Sequence, residues 1–221
     1  MVRDGFIYAT ALAFLGVLGA MLGGFRWAVL PGMLAVFALY FFRDPERVVP
    51  EGEGVVSPAD GRVVDRRLVR LEGQNFWKIS IFLSIFDVHV NRAPIRGTIR
   101  SLTYRRGRFR IASQPEASLE NEQNTVSIEG ERISVTFKQI AGLVARRIVF
   151  QKKIGDRVER GERVGLIKFG SRVDVFLPEG LTPLVELGEH VQGGTTILAH
   201  LPQPSAPPQL ADRPVAVPKS G

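Results

Sequence analysis

Gly155-Asp-Arg-Val-Glu-Arg-Gly161-Glu-Arg-Val164 and Gly188-Glu-His-Val-Gln-Gly-Gly194-Thr-Thr-Ile197 share one pattern: Gly, an acid, any residue, Val, a second Gly, and a β-branched residue three positions beyond it. A glycine between β-branched positions suits a tight turn between short strands better than a helix face, because glycine supplies the left-handed backbone such turns need. A pattern that occurs twice points to a duplicated piece of architecture. The two stretches read as matching turns of one β sandwich.

Outward from these turns the chain keeps the same character. Residues 78–85 (KISIFLSI), 132–137 (RISVTF) and 172–177 (RVDVFL) are β-rich segments separated by Gly, Pro and Asn. Together with Ser57-Pro-Ala-Asp-Gly61-Arg-Val-Val64, the repeat resembles the barrel-sandwich hybrid of biotinyl and lipoyl domains. The expected fold is mainly β, a barrel-sandwich-hybrid domain over residues 43–201. The tail 202–221 (PQPSAPPQLADRPVAVPKSG) is rich in Pro and poor in large apolar residues, so it cannot bury enough surface to offset its ordering entropy and is expected to be disordered.

The N-terminal part obeys different rules. Residues 6–24 (FIYATALAFLGVLGAMLGG) carry no charge over nineteen positions, about 28 Å as a helix and close to a bilayer's hydrocarbon thickness. After Arg26, residues 27–42 (WAVLPGMLAVFALYFF) form a second uncharged run of sixteen, interrupted by Pro31 and Gly32, which predicts a kink or a re-entrant turn. A cleaved signal peptide is the alternative. This run is longer than a usual apolar signal core, lacks a strongly basic start, and is followed directly by another. Residues 1–42 are therefore expected to be a membrane-associated helical segment of one or two helices. A hairpin leaves both ends on one side, and the Lys and Arg beyond Arg43 assign that side to the cytoplasmic face of the cell membrane, with Arg26 as a weak counter-signal.

Composition removes several classes of function. Lys and Arg number 29 against 22 Asp and Glu, a formal net charge of +7 that favours an anionic partner, either nucleic acid or anionic lipid. No recognition helix, RNP motif or zinc knuckle accompanies the charge, so a nucleic-acid partner is not expected. The absence of cysteine excludes disulfides, thiolate zinc sites and cysteine nucleophiles. The three histidines, His89, His190 and His200, show no metal-binding spacing, so no metal is expected. Phosphate-loop, dinucleotide and serine-hydrolase signatures are missing as well.

What remains is Phe169-Gly170-Ser171-Arg172-Val173-Asp174, a Gly-Ser pair between an apolar run and a new strand, which alone is an ordinary turn. It does not stand alone. Phe42-Arg-Asp-Pro45, Ser57-Pro-Ala-Asp-Gly61, Phe86-Asp-Val-His-Val-Asn-Arg-Ala-Pro94 and Gln139-Ile-Ala-Gly-Leu-Val-Ala-Arg-Arg147 precede it in order. This set resembles the short-form phosphatidylserine decarboxylases over residues 41–200.

The resemblance implies a proenzyme cut between Gly170 and Ser171 into a large chain 1–170 and a small chain 171–221, a heterodimer able to dimerise further. It implies that Ser171 becomes a pyruvoyl group, which forms a Schiff base with the amine of phosphatidylserine in the membrane; neither metal nor pyridoxal phosphate is required. Attack of the Ser171 hydroxyl on the Gly170 carbonyl needs a base, and His89 is the candidate. Asp60 is the matching position for an acid that orients the histidine, with Asp87 as the local competitor. Arg92 and Arg96, flanking the turn after His89, are candidates to pair with the substrate phosphate. Arg105, Arg106, Arg108 and Arg110 are either a solvated face or a contact for anionic headgroups.

The chain departs from the family in two places. Longer bacterial forms carry a second histidine three residues before the one matched by His89, where this chain has Phe86, leaving the proton donor open. Gln123 stands where the family usually has Arg, which removes a charge-assisted contact. Two rival readings share features with the leading one: a decarboxylase of an archaeal-type serine lipid, and a non-enzymatic membrane-anchored adaptor with a lipoyl-like domain.

Overall fold

Helix α1 (Arg3–Gly23) and helix α2 (Arg26–Phe41) pack side by side as a hairpin. A computed structural model describes residues 2–107, 121–142, 147–168 and 171–201; Gly170, Arg108, Arg110 and the Pro-rich tail fall outside these. The helices meet through small residues, with Gly5, Ala9 and Gly16 of α1 and Ala35 and Ala38 of α2 buried. Such residues let two backbones approach closely without a water-driven core. Large apolar side chains point away from the contact, Phe14 being 68% and Leu22 82% exposed. Helix α1 is long and apolar enough to cross a membrane, and α2 is a shorter apolar helix. Pro31 lies inside a continuous α2, so the re-entrant turn offered as one of two expectations there does not form. It sits early in the helix, where its missing N–H costs a single bond, to the Trp27 carbonyl.

The rest of the described chain is β. An eight-stranded antiparallel sheet has the order β12 (His190–Val191), β2 (Gly61–Leu71), β3 (Gln74–Leu83), β11 (Ser171–Pro178), β7 (Ser134–Ala141), β6 (Gln123–Glu129), β5 (Gly97–Arg105) and β9 (Arg157–Val158). A second sheet joins β4 (Val90–Arg92), β10 (Arg163–Lys168) and β8 (Arg147–Phe150), and β1 (Gly54–Val56) pairs with β13 (Ile197–His200). Alternate residues of the central strands fill the core: Ile79, Ile81 and Leu83 of β3, Val173, Val175 and Leu177 of β11, and Val135 and Phe137 of β7. That is the period of two that a half-buried strand imposes.

The repeated turns occupy equivalent places. Their strands, β9 and β12, close the two opposite ends of the large sheet. Their second glycines share one left-handed conformation, φ 79° at Gly161 and 77° at Gly194. Gly161 N–H donates to the Ala93 carbonyl at 2.8 Å, and Gly194 N–H to that of Ser57 at 2.7 Å. Val56 N–H donates to the Pro94 carbonyl and Arg92 N–H to that of Pro58, both at 2.9 Å. These reciprocal bonds match Ser57-Pro-Ala-Asp-Gly61 with Ala93-Pro-Ile-Arg-Gly97, so the β body is two like halves about an approximate two-fold axis. Asp60 in one half answers to Arg96 in the other.

Candidate active site

Ser171 opens β11, paired with Leu83 of β3 on one side and Ala141 of β7 on the other. It is fully buried, and its hydroxyl has no hydrogen-bond partner among the described residues. A buried hydroxyl without a partner is costly, a status that Ser171 shares with Ser80 and Thr195 among the described residues, and what sets Ser171 apart is its place at the start of β11 beside the 83–89 segment.

His89 is another buried group of this kind. It is 2% exposed, and its Nε2 also lacks a partner among the described residues. It follows the turn 84–88 that leaves β3 immediately after Leu83, the neighbour of Ser171. Its own carbonyl accepts from Ile167 N–H of β10 at 3.2 Å. Both flanks of the Gly170–Ser171 bond are thus pinned to the 83–89 segment, through Ile167 before it and Ser171 after it.

The imidazole is set up as a base. Nδ1 lies 2.9 Å from the Asp87 carbonyl, and since a carbonyl only accepts, Nδ1 carries the proton and Nε2 the lone pair. Burial pushes the His89 pKa down to about 4, with the Asp87 carbonyl holding back part of the fall, so the ring is neutral at pH 7.

Asp60 does not supply the expected orienting contact. Its carboxylate takes Arg47 at 2.7 Å and the Gly193 amide at 2.7 Å. Burial raises its pKa, against the Gly193 N–H and Arg47, which favour the charged form. Orientation of His89 falls instead to the neighbouring Asp87. The Asp87 side chain accepts from the Ser84 amide and hydroxyl, each at 2.7 Å, and its other oxygen lies 2.9 Å from His190 Nε2. Burial works to raise the Asp87 carboxyl, but Ser84 and His190 outweigh it and hold the pKa below the ordinary range.

The turn is tied from the other side by the hairpin. The Phe86 carbonyl accepts from Tyr40 Oη at 3.2 Å and Arg43 at 2.6 Å, and the Phe41 ring packs 4.2 Å from that of His89. This explains the Phe42-Arg-Asp-Pro45 motif: Arg43 grips the turn, while Asp44 bonds Arg163 at 2.9 Å and Arg92 at 3.4 Å, joining hairpin to β body.

The other sequence candidates lie elsewhere. Arg92 is buried and donates to the carbonyls of Gly161 at 2.9 Å and Pro45 at 3.1 Å, so its guanidinium serves the fold. Arg96 is exposed beside Glu159 and lines a polar cleft whose walls include neither His89 nor Ser171. Gln123 lies opposite Arg105 on β5, which brings a guanidinium-bearing residue to the adjacent register position. His190, Tyr40, Phe41 and Arg43 were not singled out by sequence reasoning for the site. The only signal was Asp87 as a local acid beside His89.

The fold and site define a β protein that carries a buried serine and a neutral histidine at the foot of an apolar helical hairpin. Comparison with known proteins gives this class a family. The family model for phosphatidylserine decarboxylase matches residues 34–199. The phosphatidylserine decarboxylase proenzyme of Solibacter usitatus is 50% identical over 199 residues, covering 90% of this chain and 96% of the relative. That of Ruegeria pomeroyi is 50% identical over 188 residues, 79% and 85% of the two chains, and that of Carboxydothermus hydrogenoformans 44% over 207 residues, 91% and 96%. The chain belongs to the phosphatidylserine decarboxylase family.

Proposed function

We propose that this chain is a proenzyme that cuts itself between Gly170 and Ser171 and then decarboxylates phosphatidylserine to phosphatidylethanolamine and carbon dioxide. The observation that carries the reading is the buried, partnerless Ser171 hydroxyl, accompanied by a neutral His89 whose Nε2 is equally free of partners among the described residues. Family membership supplies the substrate.

In the cut, His89 Nε2 takes the hydroxyl proton as Ser171 Oγ attacks the Gly170 carbonyl, and the amide becomes an ester. Glycine at 170 helps, because no Cβ shields the carbonyl. Loss of the Ser171 Cα proton then expels the Gly170 carboxylate. Hydrolysis of the resulting enamine releases ammonia and leaves a pyruvoyl group at the start of the small chain. That group supplies the carbonyl electron acceptor for the pair released as carbon dioxide leaves. Buried β11 shields it from bulk solvent, and the 84–89 turn presents the imidazole to move protons there.

In this reading chains 1–170 and 171–221 stay together, and residues 1–42 hold the enzyme to the cell membrane with the β domain on the cytoplasmic side. The fold of residues 43–201 is taken as a barrel-sandwich hybrid, supported by the two-fold repeat of its turns. Intact-mass analysis tests the scheme. Two chains are expected, the smaller starting at position 171 and lighter by one ammonia than plain hydrolysis of the Gly170–Ser171 bond would give. Ser171→Ala should stay one chain and release no carbon dioxide. A full-length species with decarboxylase activity would refute it.

A further inference from the structure

The large sheet carries charge on the face opposite its core. Along β11 the odd positions Val173, Val175 and Leu177 enter the core, so Arg172 and Asp174 share the other face. Such a face is ordinarily solvated, yet Arg172 is 3% and Asp174 1% exposed. Arg172 Nε lies 2.9 Å from Asp174 Oδ1, and the Lys78 ammonium of β3 lies 3.6 Å from Asp174 Oδ2 and 3.2 Å from Asp65 Oδ2 of β2. Asp174 sits opposite Ser80 on β3 and Lys138 on β7, and Ser80 in turn sits opposite Asp65. Lys78 is therefore diagonal to both carboxylates and bridges them, a reach that long side chains have across neighbouring strands. The Asp174 carboxylate thus ties β11 to two strands that precede Ser171.

Buried ions are a poor device for stability, because desolvation offsets most of their attraction; their best attested use is to fix register. Register is what the proposed cut puts at risk. Before it, β11 is continued backwards by the chain itself. After it, Arg172 and Asp174 are the second and fourth residues of a new chain end, and chain ends fray. A slip of one residue would carry both charges into the apolar core, and a slip of two would part Asp174 from Lys78. We propose that Arg172 and Asp174 are positioning residues for the decarboxylation: tied to Lys78, they hold the start of the small chain in register so that its terminal keto group stays beside His89. The proposal rests on the proenzyme reading, because an uncut strand needs no such tie. Ser171 belongs to the odd, core-facing set, so the two residues act on it through the backbone of β11.

Comparing self-cleavage with turnover in the full-length protein tests the tie. Arg172→Met is expected to cut itself at the wild-type rate, because the chain is still continuous when it reacts. Its kcat for dioleoyl phosphatidylserine should fall about tenfold with KM unchanged, as the loss of one hydrogen bond to a charged group would give. Water should also reach the loosened end sooner. A soluble hydrazide, read as added mass on the small chain, should trap the ketone about tenfold faster than in the wild type. Arg172→Lys, which keeps the charge, should recover most of both effects. Arg100→Met, which removes an exposed arginine paired with Glu129, should change neither. Since Arg172→Met leaves a buried carboxylate short of a partner, the double variant Arg172→Met with Asp174→Leu, which removes both charges, is measured beside it and should show the same separation. Self-cleavage slowed as much as turnover, or kcat and trapping both unchanged, overturns the proposal. A wild-type protein that yields no trapped ketone overturns the proenzyme reading instead.

Discussion

At the scale of the residue, a base that takes a proton from a serine hydroxyl must be uncharged, and burial achieves this for His89. Its pKa near 4 sets a sign: the reactive form is the deprotonated one, present above that value. Self-cleavage is therefore expected to run at a level rate from about pH 8 to about pH 5 and to halve near pH 4, followed by band separation on gels. His89→Ala should slow it by about a hundredfold or more. His190 acts at one remove, through the Asp87 carboxylate. His190→Ala should cost about threefold to tenfold in cleavage rate, the worth of one hydrogen bond. His190→Gln, which still donates, should recover most of that loss; a purely steric role would not distinguish the two. Ser171 and His89 drew attention in the sequence because each lies in a motif that carries the family resemblance. The Asp87–His190 contact did not, since it joins residues 103 positions apart and one end of the chain of command is a backbone carbonyl, which no sequence pattern records. Asp87, the local competitor of Asp60 in the sequence, makes the described contact to His89 through its carbonyl rather than its carboxylate.

At the scale of the element, the site depends on β3 and β2 keeping their register, and Gly61 is where that is most exacting. Its φ is 147°, and a Cβ there would lie 2.2 Å from the Phe82 carbonyl oxygen. Gly61→Ala should push β2 off β3 beside Asp60 and lower stability by about 2–3 kcal/mol, read as a reduced thermal midpoint together with slower self-cleavage. The glycine turns were legible from their repeat, because a left-handed turn leaves its mark as an invariant residue type at fixed spacing. The matching of residues 57–61 with residues 93–97 was hidden, because only proline and glycine are common to both. Alternation in β3 and β11 gave away the strands but not their neighbours, since order in a sheet is set by contacts distant in sequence. Pro31 does not end α2 because one lost bond is cheaper than breaking the helix.

At the scale of the whole molecule, the position of β11 matters more than its sequence. Each of its flanks is bonded to a strand that precedes the proposed cut, β3 along eight residue pairs and β7 along six. The two later strands are likewise paired with earlier ones, β12 with β2 and β13 with β1. Severing the backbone ahead of Ser171 would therefore release nothing. The fragments would co-purify through high salt and mild detergent and part only at denaturant concentrations that melt the sheet, which size-exclusion chromatography across a urea series would reveal. The lesion that creates the reactive group is thus mechanically silent: the molecule gains a new chain end deep inside itself without acquiring a loose one.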